Sequence, residues 1–377
     1  MVKRELETLI HKYLFKKKAI IIYGARQVGK TTLVEHLVRH HRDQTLLMNG
    51  DHADIRDLLS NPNPAKLAPV IGKNKILVID EAQRITETGL VLKIIHDSFK
   101  DVQLMATGSS GFELAGKINE PLTGRKFEFS LHPFSFHEMV EHHGYLKESR
   151  MLEHRLIYGC YPDIVLNTGM ETKLLKTLAS SFLYKDLLML DHIQKPVLLE
   201  KILKALALQI GNEVKFSELA QLLDSDKGTI EKYIDLLEKV YIIFRLNGLT
   251  RNVRNEIKKG KKFYFYDNGI RNAILGNFLP LSSRNDAGPL WENYMISERY
   301  KYLTNREIDV NRYFWRTTQQ QEIDYLEEIR GRFYAYEFKW NPLGKAYLSK
   351  TFSNAYPKTE FQVITPSNMH LILTDIK

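Results

Sequence analysis

The feature that most constrains this 377-residue chain is a glycine-bounded loop close to its start. The apolar run Ala19–Tyr23 predicts a buried strand, and the segment GARQVGKT, from Gly24 to Thr31, follows it directly. This segment has the spacing of a phosphate-binding loop, in which glycines let backbone N–H groups turn toward a phosphate. A helix beginning after the loop adds a favourable site for an anion at its N-terminus. The chain is therefore expected to contain a nucleotide-binding α/β domain.

Residues of the loop take separate predicted roles. Lys30 is expected to reach the β- and γ-phosphates during catalysis, and the Thr31 hydroxyl to ligate Mg²⁺. Arg26 is expected to contact the nucleotide or a neighbouring subunit. ATP and Mg²⁺ are the predicted ligands, and no base-reading motif excludes GTP. The predicted nucleotide-binding set is Gly24, Ala25, Arg26, Gln27, Val28, Gly29, Lys30, Thr31 and Thr32.

An acidic pair follows a second apolar run, Ile76–Ile79. We expect Asp80 to hold Mg²⁺ through water, and Glu81 to orient or deprotonate the water that attacks the γ-phosphate. A strand that ends in two acids is often merely solvated, but its pairing with Lys30 favours a functional interpretation. The two carboxylates should therefore lie beside the phosphate-binding loop.

Three further residues are catalytic candidates. Thr107 and Ser109 follow the apolar strand Gln103–Ala106, where a polar side chain could touch the γ-phosphate or the attacking water; either could equally be a turn residue. Arg125 is a candidate for stabilising charge in the transition state, within its own subunit or across an interface of a homo-oligomer. The alternative for Arg125 is an ordinary surface arginine.

The hydrophobic pattern also divides the chain. Short apolar runs, including Thr45–Met48, alternate with the predicted helices Thr32–His40 and Leu90–Phe99, which is typical of a parallel sheet covered by helices. The first boundary is expected near Glu148. Beyond it, three helices are predicted before a two-stranded hairpin, as in a winged helix. Their predicted bounds are Val197–Ile210, Phe216–Leu223 and Thr229–Val240 for the helices, and Tyr241–Leu246 and Lys262–Tyr266 for the strands.

The hairpin loop is strongly basic. Between residues 245 and 262 there are seven Lys and Arg residues and one acid, Glu256, so this loop could lie along the phosphates of DNA or RNA. The preceding helix carries Asp235 and Glu238, which would repel a duplex. Nucleic-acid binding and packing between domains or subunits therefore both stay open. The predicted nucleic-acid contacts are Arg251, Arg254, Lys258, Lys259 and Lys261.

The last part of the chain predicts a second α/β unit, with helices Leu290–Tyr302 and Lys345–Ser353 and strands Tyr313–Trp315, Ile323–Leu326, Phe333–Lys339 and Gln362–Ile364. Its acidic residues resemble the PD-(D/E)XK nuclease core. Alternation along a strand puts Glu337 and Lys339 on one face. With Asp324 and Glu292 they could hold Mg²⁺ and activate a water. A cross-strand ion pair would give the same pattern.

The segments GARQVGKTTL, ILVIDEAQRI, ATGSSGFEL and LTGRKFEFSLHPFSFHE resemble bacterial and archaeal AAA+-like ATPases whose C-terminal half is of uncharacterised function. The resemblance spans nearly the whole chain. One departure is Gly159-Cys160, where family members usually have two glycines. The resemblance implies an α/β fold with three parts: an AAA+-like P-loop NTPase parallel sheet, a helical and winged-helix region, and a restriction-endonuclease-like domain. The expected segments are 1–148 (ATPase), 149–196 (helical linker or lid), 197–267 (winged helix) and 268–377 (nuclease-like).

Composition narrows the class of protein. The formal charge of +9 suits polyanionic partners, and the single cysteine, Cys160, excludes an internal disulfide. No apolar run is long enough to cross a membrane, so a cytoplasmic protein without a membrane partner is expected. Three functional hypotheses follow: an ATP-driven switch that binds ATP and ADP, a nucleotide-gated nuclease, and an ATP-regulated module that binds DNA, RNA or protein.

Overall fold

The computed structural model describes residues 2–108, 121–181, 193, 195–249 and 260–375. These residues form two compact units. The first comprises Met1–Pro133 and Lys239–Tyr241, and the second comprises Phe134–Glu238 and Ile242–Lys377. The continuous N-terminal part of the first unit ends at Pro133, whereas the sequence predicts a boundary near Glu148.

The first unit is built on a five-stranded parallel sheet in the order β2-β3-β4-β1-β5. Strands β1, β3 and β4 are buried along their whole length, because helices cover both faces of a parallel sheet. The four predicted strands are confirmed, and β5 is an additional one. The strands are Ala19–Gly24 (β1), Thr45–Asn49 (β2), Ile76–Asp80 (β3), Gln103–Gly108 (β4) and Lys126–Leu131 (β5).

Helices of the first unit pack their apolar faces against this sheet. The core includes Ile21, Leu77, Leu92 and Leu104. Both predicted helices are present with shifted bounds, at Lys30–Leu37 and Thr88–Ser98, and three others were not predicted. Those three are Glu5–His11, Ala53–Ser60 and Pro64–Ile71.

The second unit contains a seven-stranded mixed sheet in the order β12-β11-β10-β9-β7-β8-β6. The predicted hairpin β7-β8 joins strands β9 to β12 through a parallel contact of β7 with β9. The segments predicted to form a winged helix and a nuclease-like domain therefore contribute strands to one sheet. The strands are Glu213–Val214 (β6), Ile243–Gly248 (β7), Lys261–Phe265 (β8), Asn311–Arg316 (β9), Glu322–Ile329 (β10), Arg332–Phe338 (β11) and Glu360–Ile364 (β12).

The longest described helix, Ala287–Asn305, contacts β8 and β11 of this sheet. The predicted helix Lys345–Ser353 is wrong in its first part, because the helix begins at Lys350 and ends at Ala355. Among the described helices, none has both the length and the apolar character of a membrane span. The remaining helices are Phe136–His143, Tyr145–Arg150, Leu152–Tyr158, Pro162–Leu166, Glu171–Ser181, Pro196–Leu208, Phe216–Leu222, Lys227–Lys239, Asn268–Leu275 and His370–Leu373.

Candidate functional site

The phosphate-binding loop leaves the end of β1 and leads into the helix Lys30–Leu37. A Cβ atom at Gly24 would lie 2.3 Å from the carbonyl oxygen of Leu131 at the end of β5, so only glycine fits between the two strands. Gly29, which caps the helix, has φ +93°, a left-handed conformation that glycine adopts without strain. The loop therefore has the backbone path and the helix start that a phosphate site needs.

Lys30 is buried at the centre of this loop, with 5% of its surface exposed. Its ammonium group donates hydrogen bonds to the carbonyl oxygens of Gly24 at 3.0 Å and Ala25 at 2.9 Å. A buried cation is stable only when such acceptors surround it. The lysine is therefore held inside the loop, as its predicted role requires.

Asp80, at the end of β3, joins the loop to the neighbouring strands. One carboxylate oxygen accepts a hydrogen bond of 2.7 Å from the Thr31 hydroxyl, and the other accepts one from the Thr107 hydroxyl at the end of β4. This arrangement follows from the strand order, because β4 lies between β1 and β3. Thr31, Asp80 and Thr107, three predicted site residues, thus form one hydrogen-bonded group.

Glu81 follows Asp80 in a left-handed conformation, with φ 50° and ψ 42°. Such a conformation is uncommon for a residue with a side chain and concentrates at functional sites. Its backbone N–H donates to the Thr107 hydroxyl at 3.2 Å, and its carboxylate accepts a hydrogen bond of 2.5 Å from the Gln83 amide. Gln83 is a site residue that the sequence reasoning missed, although it lies only two positions beyond Glu81.

Arg4 is a second residue that was missed. Its guanidinium group is buried and donates to the carbonyl oxygens of Val28, at 2.9 Å, and His132, at 2.6 Å. Arg4 therefore connects the phosphate-binding loop to the chain just after β5. No local pattern marks it, because its partners are 24 and 128 positions away.

Arg125 does not join this site within its own chain. Its carbonyl oxygen accepts a hydrogen bond from the N–H of Ala19, so it lies at the beginning of β1, whereas the loop follows the end of that strand. Five residues of strand, about 17 Å, therefore separate the backbone of Arg125 from the phosphate-binding loop. The Arg125 side chain instead pairs with Asp97 at 3.0 Å, where both are substantially exposed.

The other residues predicted to bind nucleotide differ in how far they are buried. Gln27 and Thr32 are exposed beside Thr31, while Val28 is fully buried and anchors the loop. Arg26 is half-buried. Ser109 lies outside the described residues.

In the second unit, strands β10 and β11 bring the predicted nuclease residues together. Their register pairs Tyr325 with Tyr336, which places Asp324 opposite Glu337. Asp324 accepts a hydrogen bond of 2.9 Å from the N–H of Phe338, and the Lys339 ammonium donates to Glu337 at 2.7 Å. Burial and the charge of Asp324 together raise the pKa of Glu337. Alternation along β11 was therefore predicted correctly.

Glu292 extends this acidic cluster from the helix Ala287–Asn305. It accepts a hydrogen bond of 2.6 Å from the Tyr264 hydroxyl, and the Lys262 ammonium lies 3.4 Å away. Burial raises the pKa of Glu292 to about 7, with the nearby Asp324 charge acting in the same direction. Lys262 is itself buried and also contacts Glu322 at 2.5 Å.

The cluster thus has lysine partners. Within the described ranges, no group of three or more His, Cys, Asp or Glu residues is arranged to hold a metal ion. The charge of Asp324 raises the pKa of both Glu292 and Glu337, and the use of these three carboxylates as Mg²⁺ ligands stays a prediction. Lys262, which was counted among the basic loop residues, compensates these carboxylates instead.

Two other basic residues of the hairpin also have internal contacts. Arg245 pairs with Asp235 and Glu238, the same acids that weighed against a DNA-reading helix. The Lys261 ammonium lies 4.9 Å from the centre of the Phe216 ring. The other predicted nucleic-acid contacts, Arg251, Arg254, Lys258 and Lys259, lie outside the described residues.

Comparison with known protein families divides the chain into three parts. Residues 16–140 match the AAA domain. Residues 149–280 and 287–375 match two domains of unknown function, DUF8612 and DUF4143. The AAA match covers the phosphate-binding loop together with Asp80, Glu81 and Thr107.

Longer similarities extend across these parts. An uncharacterised protein of Mycobacterium tuberculosis is 24% identical over 341 residues, which cover 89% of this chain and 74% of that protein. One of Haemophilus influenzae is 22% identical over 281 residues, covering 68% and 69%. Among solved structures, the Pif1 helicase from Candida albicans aligns with 42% of this chain and 48% of its own, at 13% identity and a TM-score of 0.28. Residues 16–140, which match the AAA domain, contain the phosphate-binding loop with Lys30 and the acidic residue Asp80.

Proposed function

We propose that the first unit binds ATP with Mg²⁺ and hydrolyses it slowly, and that the state of the nucleotide controls the second unit. The observation that carries the proposal is the contact of Asp80 with both Thr31 and Thr107, because it unites the phosphate loop with two neighbouring strands. The AAA match of residues 16–140 supports the same conclusion.

The residues present fit a magnesium nucleotide. Gly24 and Gly29 permit the tight backbone path of the loop, and Thr31 and Asp80 supply the hydroxyl and carboxylate that would hold the cation. When bound, Mg²⁺ supplies neutralising charge at the β- and γ-phosphates. These are the ligand types that the ion prefers.

Each side chain then has a separate task. Lys30 exchanges its hydrogen bonds to Gly24 and Ala25 for phosphate oxygens. Glu81 accepts a proton from the attacking water, while Thr107 holds both Asp80 and the backbone of Glu81 in position. Gln83 keeps the Glu81 carboxylate oriented.

Control of the second unit is supported by the path of the chain. Lys239–Tyr241 belongs to the first unit, although the chain on both sides of it belongs to the second. The two units are therefore linked covalently at more than one point. A rearrangement around bound nucleotide can thus be transmitted through the backbone itself.

Binding and hydrolysis by the full-length protein test the ATPase. Wild type should bind MgATP and release phosphate, Lys30→Ala should do neither, and the exposed Lys66→Ala should behave as wild type. Isothermal titration and a phosphate-release assay provide the readouts. Absence of MgATP affinity in the wild type, or equal affinity in Lys30→Ala, would refute the proposal.

For the second unit, we favour a module that binds nucleic acid or protein over a nuclease. The reason is the pairing of Lys262, a residue outside the predicted nuclease centre, with Glu292 and Glu322. Duplex DNA should bind with an affinity that falls as salt increases. Metal-dependent cleavage that is lost in Glu337→Ala would instead establish the nuclease.

A further inference from the structure

A cavity lies in the second unit beside the parallel contact of β7 with β9. These strands pair only at Asn247 with Tyr313 and at Gly248 with Phe314, so their earlier residues leave space between them. The cavity has a volume of about 320 Å³. This is at the lower end of the range for small-molecule sites.

Three polar side chains in the cavity wall lack internal partners. Within the part of the chain that the structure describes, Arg312, Asn247 and Asn311 make no side-chain hydrogen bond or ion pair. The Arg312 guanidinium instead lies over the Tyr300 ring, 4.2 Å from its centre. A half-buried guanidinium has five N–H donors, so these donors are available to a ligand.

Other arginines near this sheet show the contrast. Arg299 pairs with Glu327, and Arg245, which also lines the cavity, is neutralised by Asp235 and Glu238. Glu327 lies opposite Arg312 in the register of β9 with β10, but its ion pair is with Arg299, and Arg312 forms none among the described residues. Alternation along β7 and β9 places Arg312, like Phe244, on the face of the sheet that Tyr300 covers, and places Asn247 and Asn311 on the opposite face.

Aromatic rings form the rest of the wall. Tyr300 lies 5.0 Å from Phe244 between ring centres, and Tyr313 and Tyr325 also line the cavity. Rings of this kind stack with planar ligands such as a nucleotide base. An arginine fork matches the oxygens of a phosphate.

We infer that this cavity binds a single nucleotide unit, with its phosphate on Arg312 and its base against the aromatic rings on the same face of the sheet. The unit is a free mononucleotide or the terminal nucleotide of a nucleic-acid strand, since both offer the same chemistry. The inference does not depend on ATP binding by the first unit.

Titration of the full-length Lys30→Ala protein with AMP tests the cavity while nucleotide binding at the phosphate-binding loop is disabled. AMP should bind, and a further Arg312→Ala change should weaken binding by about tenfold or more. Adenosine, which lacks the phosphate, should bind less tightly than AMP. The exposed Arg332→Ala, which lies outside the cavity wall, is the matched control and should leave the affinity unchanged.

A 5′-phosphorylated single strand of DNA distinguishes the two sources of ligand. Binding of AMP identifies free nucleotide, and Arg312-dependent binding of the strand alone identifies a terminal nucleotide. Either result supports the site. Failure of both ligands to bind, or equal affinity of Arg312→Ala and its parent with unchanged thermal unfolding, would overturn the inference. Arg312→Lys should restore only part of the affinity, because an ammonium group lacks the planar fork. The MgATP titrations of wild type and Lys30→Ala report on the first unit separately.

Discussion

The guanidinium of Arg4 donates a hydrogen bond of 2.9 Å to the carbonyl oxygen of Val28, inside the phosphate-binding loop. Its other donor reaches the carbonyl oxygen of His132 just after β5. A residue close to the start of the chain thus contacts the backbone of the loop directly. The shape of the loop depends on this contact as well as on its own glycines.

Arg4→Ala should lower both stability and nucleotide affinity. Two carbonyl groups lose a charged donor, which costs about 2 kcal/mol in the free energy of unfolding, and the loop loses its support. Urea unfolding and MgATP titration provide the measurements. Lys3→Ala removes the same charge from an exposed neighbour and should change neither. An Arg4→Ala protein with wild-type affinity would show that the loop holds its shape alone.

Glu81→Gln should separate binding from hydrolysis. The amide keeps the size of the side chain but cannot accept the proton of the water, so kcat should fall by about a hundredfold or more. Affinity for MgATP should stay within about threefold of wild type, because Glu81 acts on water rather than on phosphate. The exposed Glu35→Gln, on the helix after the loop, is the control. Equal loss of binding and turnover would contradict the assigned role.

Gly24→Ala should prevent normal folding of the first unit. The added methyl group would lie 2.3 Å from a backbone oxygen of β5, and backbone cannot yield as a flexible side chain does. The loss of stability should be about 4 kcal/mol or more. Gly288→Ala is the matched control, because no atom lies within 4 Å of its added carbon. Thermal unfolding of the two variants makes the comparison.

Arg125→Ala should leave the turnover of dilute protein unchanged, because Arg125 lies at the beginning of β1, away from the loop. Its exposed ion pair with Asp97 contributes less than about 1 kcal/mol, so the fold should survive. Specific activity is measured at increasing protein concentration. A defect at low concentration would place Arg125 at the site of its own chain. If a defect develops only as concentration rises, and mixing with wild type relieves it, the arginine acts across an interface.

Glu292 should make stability depend on pH between its two pKa values. In the folded protein burial raises its pKa from 4.5 to about 7, so the folded state binds the proton more tightly. Its stabilising contribution is complete below pH 4.5 and is lost as the pH rises to 7, by at most about 3 kcal/mol. Glu292→Gln should remove this component from urea unfolding curves recorded with a chelator present. The exposed Glu153→Gln should retain it. An unchanged pH dependence in Glu292→Gln would assign the effect to other groups.

Strands β1, β3 and β4 could be predicted because their apolar residues are continuous, as burial on both faces demands. Strand β5 was missed for the opposite reason. Phe127, Phe129 and Leu131 alternate with polar residues, which is typical of a strand at the edge of a sheet. Its polar positions interrupt the apolar run, so the strand is recognised only when its pairing with β1 is known.

The acidic cluster shows the same limit. Alternation placed Glu337 and Lys339 on one face, since the period of a strand is local. The contribution of Lys262 was hidden, because its position in a basic segment suggested a solvent-exposed loop. Only the pairing of β8 with β7, within one mixed sheet, buries this lysine beside Glu292 and Glu322.

The sequence by itself determined the phosphate-binding loop, its lysine and the acids at the end of β3, because each depends on short spacing and on residues adjacent in the chain. The tertiary structure decided the contacts of Arg4, the position of Arg125 and the lysine partners of the acidic cluster. Those contacts join residues far apart in the chain, and only the order and register of the strands bring such residues together.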